Sequence, residues 1–373
     1  MHKVWSPSEA TLEFFIYMVI KDQTITLPLL SSDDYVIGSE AMRHLGISRH
    51  NMVKAVERDL IHQYSSNTDN KTYYSINELN AFMLTPEYRI MIDGCVDSRN
   101  QLNDLTGKEW IPETKSYFYQ KGLGASHPHA QIEKLHPAPF SFQDVQKLIE
   151  FFSKKGMIVL DPFGGVGSTA KACELSGRKC ISIELSPKYH ALSLKRMNTE
   201  VGETCASKHQ FINGDSCLIL PTLESASVDF IVTSPPYWGI LKKQDQKVIH
   251  NRVNNNLDTK YSDSPDDLGN IEDYQEFLTI LCNKIFTECA RILKKGKYMA
   301  IIVSDFRDKG EFISFHSDLI QKLNHINIVG GGSLMLQGTK ILIQNHKSLH
   351  PYGYPFSYVE NIHHQYVLIF RKK

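Results

Sequence analysis

The chain has 373 residues, with 41 basic and 41 acidic side chains and no formal net charge at pH 7. That length suits one large domain with a smaller companion, and the charge balance excludes a globally basic surface, so any contact with nucleic acid has to be local. Seven cysteines, at 95, 173, 180, 205, 217, 282 and 289, form no CxxC pair and no disulfide framework. The apolar runs are too short to span a bilayer, and "MHKVWSPSEATLEFF" lacks a signal-peptide pattern, so a reducing, cytoplasmic setting is expected.

Leu12 to Ile20 reads as an apolar helix packed on a neighbour. The next stretch is "DYVIGSEAMRHLGISRHNMVKAVERDLIHQYSSNTDNKTYYSINELNAFM". A helix from about Ser39 would turn Ala41, Met42 and Leu45 inward; Gly46 would make a turn, and a second helix from Ser48 would carry Met52, Val53 and Val56. A hairpin around "NTDN" follows, then a third helix capped at Ser75 with Glu78 in capping-box position. The stretch resembles the small winged helix–turn–helix modules of excisionase-type DNA binders. That resemblance implies a mainly helical DNA-binding module over residues 1–90, whose second helix enters the major groove with Arg49, His50, Asn51 and Lys54 outward. Dimer contacts or docking to a partner subunit fit the same residues.

After Asp97 the texture turns to Gly, Lys and aromatic residues, and a helix from about Ser141 places Val145, Leu148, Ile149 and Phe152 on one face. "GMIVLDPFGGVGSTAKACELSGRKCISIELSPKYHALSLKRM" then reads as a βαβ unit. Its first strand is Met157 to Leu160, its turn holds Gly164, Gly165 and Gly167, its helix carries Ala170, Ala172 and Cys173, and its second strand ends at Glu184. Glycines there let the backbone approach a ligand, and an acid closing the next strand can accept both hydroxyls of a ribose. A nucleoside triphosphate fits poorly because Ser168 and Thr169 follow where a lysine is required. A dinucleotide and S-adenosylmethionine remain, since Gly165, Gly167 and Ala170 also satisfy G-x-G-x-x-A.

"VDFIVTSPPYWGI", Val228 to Ile240, is an apolar strand of the kind a parallel sheet covered on both faces requires. Pro235 and Pro236 end it stiffly, because neither can donate to a ladder and each fixes its own φ. Together, Asp161-Pro162-Phe163-Gly164-Gly165-x-Gly167 and Ser234-Pro235-Pro236-Tyr237 resemble motifs I and IV of the DNA amino-methyltransferases, which modify N4 of cytosine or N6 of adenine. An oxidoreductase gives no reason for the second motif. The resemblance runs through most of residues 97–373. It implies an α/β, class I (Rossmann-like) methyltransferase domain with a seven-strand sheet and S-adenosylmethionine as methyl donor. On this reading Asp161, Phe163, Gly165 and Gly167 form the cofactor loop and Glu184 holds the ribose. Phe140 of "HPAPF" lies near the methionine part, and Asp215 of "NGDS" bonds the adenine amine. The remaining expected parts are a helix over Ile271 to Ile292, a strand Tyr298 to Val303, a helix Ser317 to Leu323 and a last strand Tyr366 to Arg371.

An aromatic amine is a poor nucleophile, and acceptors on both N–H groups would rehybridise it. Ser234 Oγ and the Pro235 carbonyl are the expected acceptors, fixed by Pro236, with Tyr237 stacked on a base flipped out of double-stranded DNA. No metal is required. Cytosine C5 chemistry needs a cysteine nucleophile that its family places after a proline, and no Pro-Cys dipeptide occurs. In the resembled family serine before Pro-Pro-Tyr goes more often with N4-cytosine than with N6-adenine. The resemblance further implies restriction–modification or phage defence, with a cognate restriction endonuclease as partner. Between Trp238 and Asp273, Lys242, Lys243, Lys247, Arg252 and Lys260 form a local basic excess that suits phosphate contact or a plain solvated loop. "LHPYGYPFSYVENIHH" is either a pocket wall or, preferably, packing. Rival readings are an RNA or protein-amide N-methyltransferase, a nicotinamide enzyme, and a non-catalytic DNA-binding regulator on the same fold.

Overall fold

The computed structural model describes residues 16–20, 23–26, 34–66, 69, 71–121, 123–124, 126–136, 140–239, 264, 266–328 and 330–373. The chain divides into two compact units, Met1–Asp97 with Thr106–Glu109, and Ser98–Leu105 with Trp110–Lys373.

The first unit holds β1 (Ile16–Ile20), β2 (Gln23–Thr26), β3 (Tyr35–Ile37), α1 (Gly38–Leu45), α2 (Arg49–Glu57), β4 (Tyr64–Ser66), β5 (Thr72–Ser75), α3 (Ile76–Met83) and α4 (Pro86–Asp93). Its five strands form an antiparallel sheet in the order β2-β1-β4-β5-β3. Ile16–Ile20 is therefore a strand and not the end of a helix; Leu12 to Phe15 lie outside the described residues. A short apolar run has no period that separates the two, and its β-branched content suits a ladder.

Gly46, at φ 64°, turns the chain between α1 and α2, and Ser48 caps α2 by accepting from the Asn51 N–H. Ala41, Leu45, Met52, Ala55, Leu79 and Phe82 close the core of this unit. Val53, expected inward, is 48% exposed, because one turn on from Met52 the helix buries Ala55. The capping box at Ser75 does not form either. Glu78 instead accepts from the Tyr64 phenol at 2.5 Å and the His62 N–H at 3.1 Å, which supplies acceptors to two part-buried donors.

Helix α5 (Gly107–Glu113) has residues in both units, and the second unit adds β6 (Tyr117–Tyr119), α6 (Phe142–Phe152), β7 (Ile158–Asp161), α7 (Ser168–Leu175), β8 (Lys179–Glu184), α8 (Pro187–Glu200), β9 (Gln210–Asn213), α9 (Ser216–Ile219) and β10 (Val228–Thr233). It continues with α10 (Tyr274–Ile280), a π-helical turn Leu281–Phe286, α11 (Thr287–Ile292), β11 (Leu293–Val303), β12 (Phe306–Asp308), β13 (Glu311–Ile313), α12 (Phe315–Leu323), β14 (Leu334–Ile343) and β15 (His364–Lys372). The sheet has eight strands in the order β6-β14-β15-β11-β10-β7-β8-β9, one more than expected. The extra member is the short edge strand β6, which runs parallel to β14. Strands β9, β8, β7, β10 and β11 run parallel, while β15 is antiparallel to both neighbours.

Alternate residues of the strands feed two cores. Leu160, Ile231, Met299 and Ile301 face one, with Phe277, Leu281 and Phe286; Val159, Phe230, Val232 and Ile302 face the other, with Leu148, Ile149 and Phe152. All six residues of β10 are buried, Asp229 and Thr233 with the four apolar ones, as a strand covered on both faces requires. Strand order reverses between β7 and β10, and at such a switch point open α/β sheets leave a crevice beyond the strand ends. No helix among the described residues is long and apolar enough to cross a membrane.

Candidate active site

A cleft of about 730 Å³, its open mouth included, lies at that switch point. Its wall carries Phe163 and Gly165 from the loop after β7, Glu184 from the end of β8, Asp215 from the start of α9, and Ser234 through Tyr237 from the end of β10. The structure thus brings both motif segments into one cavity.

The glycine loop is shaped by contacts that leave no room for side chains. A Cβ on Gly164 would stand 2.0 Å from Ser182 Oγ, and Gly167 opens α7 at φ 80° with Ser193 Cβ 3.0 Å from where its own Cβ would be. Asp161, expected to touch the ligand, does not line the cleft. It is fully buried and accepts from Thr169 Oγ1 at 2.5 Å, Thr233 Oγ1 at 2.6 Å and the Phe163 N–H at 3.0 Å. Burial pushes its carboxyl upward against those three donors. Its role is to fasten the glycine loop, α7 and the end of β10 to one another. Gly167 likewise shapes the loop without lining the cavity.

Glu184 accepts from the Gly165 N–H at 2.8 Å and the Ser186 N–H at 2.7 Å, which fixes its carboxylate at the cleft wall with acceptor capacity to spare. Burial pushes it up to about 7, opposed by those two N–H groups and reinforced by Asp161 and Asp267. Asp215 caps α9 through the Cys217 N–H at 2.8 Å and still faces the cavity. Phe140 does not reach the cleft; it packs against the core built on α6. His136, at the other end of "HPAPF", lines the cavity in its place, its ring 4.7 Å from that of Tyr189. Pro137 to Pro139 lie outside the described residues. Asp266, Asp267, Leu268 and Ile285 also line the cleft, and no local sequence signal marked them. Ile285 lies in the π-helical turn, and such turns recur at functional sites.

Tyr237 is only 9% exposed. Its phenol oxygen accepts from Gln365 Nε2 at 3.1 Å. Burial pushes the phenol up, while Gln365, the Ser304 N–H and the Ser234 hydroxyl oppose the shift. Ser234 and Tyr237 both line the cavity wall, with Pro235 buried between them in the chain.

A vicinal diol would find its acceptor in Glu184, an aromatic amine its acceptor in Asp215, and a second planar amine would meet Ser234 and the Pro235 carbonyl. S-adenosylmethionine fits the first two positions. Among the described residues no group of three or more His, Cys, Asp or Glu is placed to hold a metal ion.

Elsewhere, Arg49 is exposed and Lys54 partly so, but Asn51 is not free for a groove: its amide donates to the Met91 carbonyl at 3.2 Å. Lys242, Lys243 and Arg252 lie outside the described residues. The aromatic stretch before β15 does not pack, with Tyr354, Phe356 and Tyr358 at 81%, 94% and 85% exposure.

A family model described as DNA methylase, of the N6/N4 type, matches residues 41–195 and 228–373. A second, described as RNA cap guanine-N2 methyltransferase, matches residues 156–262. The chain is 35% identical over 78 residues to the orphan methyltransferase M.BamHII of Bacillus amyloliquefaciens, covering 20% of this chain and 29% of that protein. It is 44% identical over 97 residues to the type II methyltransferase M.BglI of Bacillus subtilis, covering 26% of each. The matches thus span between a quarter and a third of those relatives' lengths. The solved structure of TrmN from Thermus thermophilus is 15% identical, with a TM-score of 0.38 over 62% of this chain and 48% of that one. With the DNA methylase model matched over more than half of its length, the chain belongs to the N6/N4 DNA methylase family.

Proposed function

We propose that the chain transfers the methyl group of S-adenosylmethionine to the exocyclic amine of a base extruded from double-stranded DNA, with N4 of cytosine preferred over N6 of adenine. The observation that carries this reading is that Glu184, Asp215 and the glycine loop share one cleft with Ser234 through Tyr237. The donor supplies a methyl group on a positively charged sulfur. Glu184 would hold its ribose hydroxyls and Asp215 its adenine amine, with Phe163, Gly165 and His136 enclosing it.

Ser234 Oγ and the Pro235 carbonyl take the two N–H groups of the target amine and turn its lone pair out of the ring plane. Pro236 stiffens the backbone that carries both acceptors before the base arrives, and Ser234 and Tyr237 line the same wall. Tyr237, anchored through Gln365, offers its ring to the base. The bond from nitrogen to the methyl carbon would form as the methyl–sulfur bond breaks, the donor leaving as a neutral thioether, and the proton of the N–H held by Ser234 would pass to water at the open mouth of the cleft. Closing a donor and an amine into one cavity removes the cost of bringing them together, which is the main help such a reaction needs.

The preference for cytosine rests on Ser234 itself. Exposed Arg49 and part-exposed Lys54 on α2 support a DNA-contacting first unit, and Lys242, Lys243 and Arg252 are assigned to phosphates. Pairing with a restriction endonuclease belongs to the same reading. The test is to incubate the protein with duplex DNA, or with RNA, and S-adenosylmethionine, digest to nucleosides and weigh the product. N4-methylcytosine is the expected result. N6-methyladenine would reverse the base preference, a methylated ribonucleoside would change the substrate, and no product from folded, donor-bound protein would overturn the function.

A further inference from the structure

The segment between β14 and β15 leaves three large rings in water. Tyr354, Phe356 and Tyr358 stand well clear of the surface, and Leu349 and Tyr352 beside them are 78% and 54% exposed. Single exposed apolar residues need no explanation, whereas a contiguous group marks a surface that meets something.

This segment is held in shape. The Gln344 N–H donates to the His363 carbonyl at 2.8 Å and closes its root. Higher up, the Asn361 side chain accepts the His350 N–H at 2.9 Å and donates to the His350 carbonyl at 2.8 Å. At the tip, the Phe356 and Ser357 N–H groups both donate to the Gly353 carbonyl at 2.8 Å. Gly353 sits at φ 74°, where a Cβ would fall 2.3 Å from the Ser357 carbonyl, so only glycine makes this turn. Rings on a braced tip lose little freedom on meeting a partner.

Its place in the fold says what the partner is. β14 and β11 are both antiparallel to β15, so β14 ends at the sheet edge where β7, β8 and β10 end and where the cleft opens. At that edge Gln365, just inside β15, donates to Tyr237. Between β14 and β15 Glu360 is the single carboxylate, against Lys347 and the histidines 346, 350 and 363, so the segment tolerates a polyanion. Flat rings, a tip from Tyr352 to Tyr358 without a carboxylate and a position on the target side of the cleft together fit unstacked nucleobases.

We propose that the Tyr352–Tyr358 tip is a nucleobase-stacking element. It seats on unpaired bases beside the extruded target and so helps hold the duplex open. This rests on the DNA reading of the cleft.

The test compares full-length protein with the triple variant Tyr354→Ser, Phe356→Ser, Tyr358→Ser, all of whose changes lie in solvent. Three fluorescein-labelled mixed-sequence probes are titrated by anisotropy: a single strand, its perfect duplex, and a duplex with a central unpaired stretch. The expected result is a loss of about tenfold or more on the two probes with unpaired bases and little change on the perfect duplex. The dependence of affinity on salt should stay the same, because stacking releases no counterions. S-adenosylmethionine should raise the melting temperature of both proteins equally. Unchanged affinity for the unpaired probes, or an equal loss on all three, overturns the proposal. So does a concentration-dependent oligomer in sedimentation that the triple variant abolishes with its probe binding intact, since the rings would then serve a second copy of the chain. In each of those cases methylation of genomic DNA by the wild-type protein shows that the function survives. Wild-type protein that labels no DNA overturns the function itself.

Discussion

At Glu184 a stability requirement and the proposed ribose-binding role oppose each other. Burial raises its pKa from the ordinary 4.5 to about 7, so the folded chain holds that proton more tightly than the unfolded chain does. The sign follows: stability contributed by this group falls as pH rises from about 4.5 through about 7, and the full penalty of the ionised form stands above that. A ribose diol donates to the ionised form, so donor affinity should move the opposite way and weaken as pH drops below about 7. Glu184→Gln is therefore expected to melt higher than wild type without ligand at pH 8, by about 2–4 °C per kcal/mol relieved, and level with it at pH 4.5. The variant should also lose the melting shift that S-adenosylmethionine gives the wild type. Scanning calorimetry at the two pH values checks this, and equal melting temperatures at pH 8 would refute the argument. Glu184 was legible in the sequence because a strand end fixes where its last side chain points. Phe140 was misplaced because spacing from the glycine loop does not say which end of "HPAPF" turns toward the cavity.

Between elements, the glycine loop is backed by a network of charges that no local pattern marks. Arg196 of α8 is fully buried and donates to Glu200 Oε2 at 3.0 Å, Glu133 Oε2 at 2.6 Å and Ser168 Oγ at 2.9 Å. Lys171 of α7, equally buried, reaches Glu200 Oε2 at 2.6 Å and lies 4.0 Å over the Phe142 ring. The network ties α6, α7 and α8 to the 3₁₀ turn Glu133–Leu135, which leads into His136 at the cleft wall. Removing one member of a buried ion pair strands its partner and costs roughly 3–5 kcal/mol. Arg196→Met should lose about that much in denaturant unfolding, and adding Glu133→Gln should recover part of it. Additive losses in the double variant would mean that the two side chains are not coupled. No local pattern pairs these residues, since only three-dimensional packing brings Glu133 to Arg196. β14 was missed for a related reason: Gln337 and Gly338 interrupt its alternation where the ladder shifts register. The βαβ unit around the glycine loop and the mostly apolar β10 were legible because their patterns are local.

Across the whole molecule, each unit has the means to fold by itself. Residues 98–373 contain all eight strands of the large sheet, both of its cores and every residue that lines the cleft. The first unit closes a core of its own around Leu45, Met52, Leu79 and Phe82. A chain beginning at residue 98 is thus expected to unfold in one cooperative step and to show the same S-adenosylmethionine-induced melting shift as the full chain. Its DNA affinity is where the two should part. If α2 reads DNA through Arg49 and Lys54, each phosphate that the shorter chain leaves unneutralised should make the slope of log affinity against log salt shallower by about 0.9. A change of two phosphates would be plain in a titration between low and physiological salt. A truncated chain with the affinity and salt slope of the full one would leave the helix–turn–helix spacing of residues 38–57 as packing alone. Target reading would then fall to the catalytic unit, whose basic Lys242 to Lys260 stretch and aromatic tip become the surfaces to vary next.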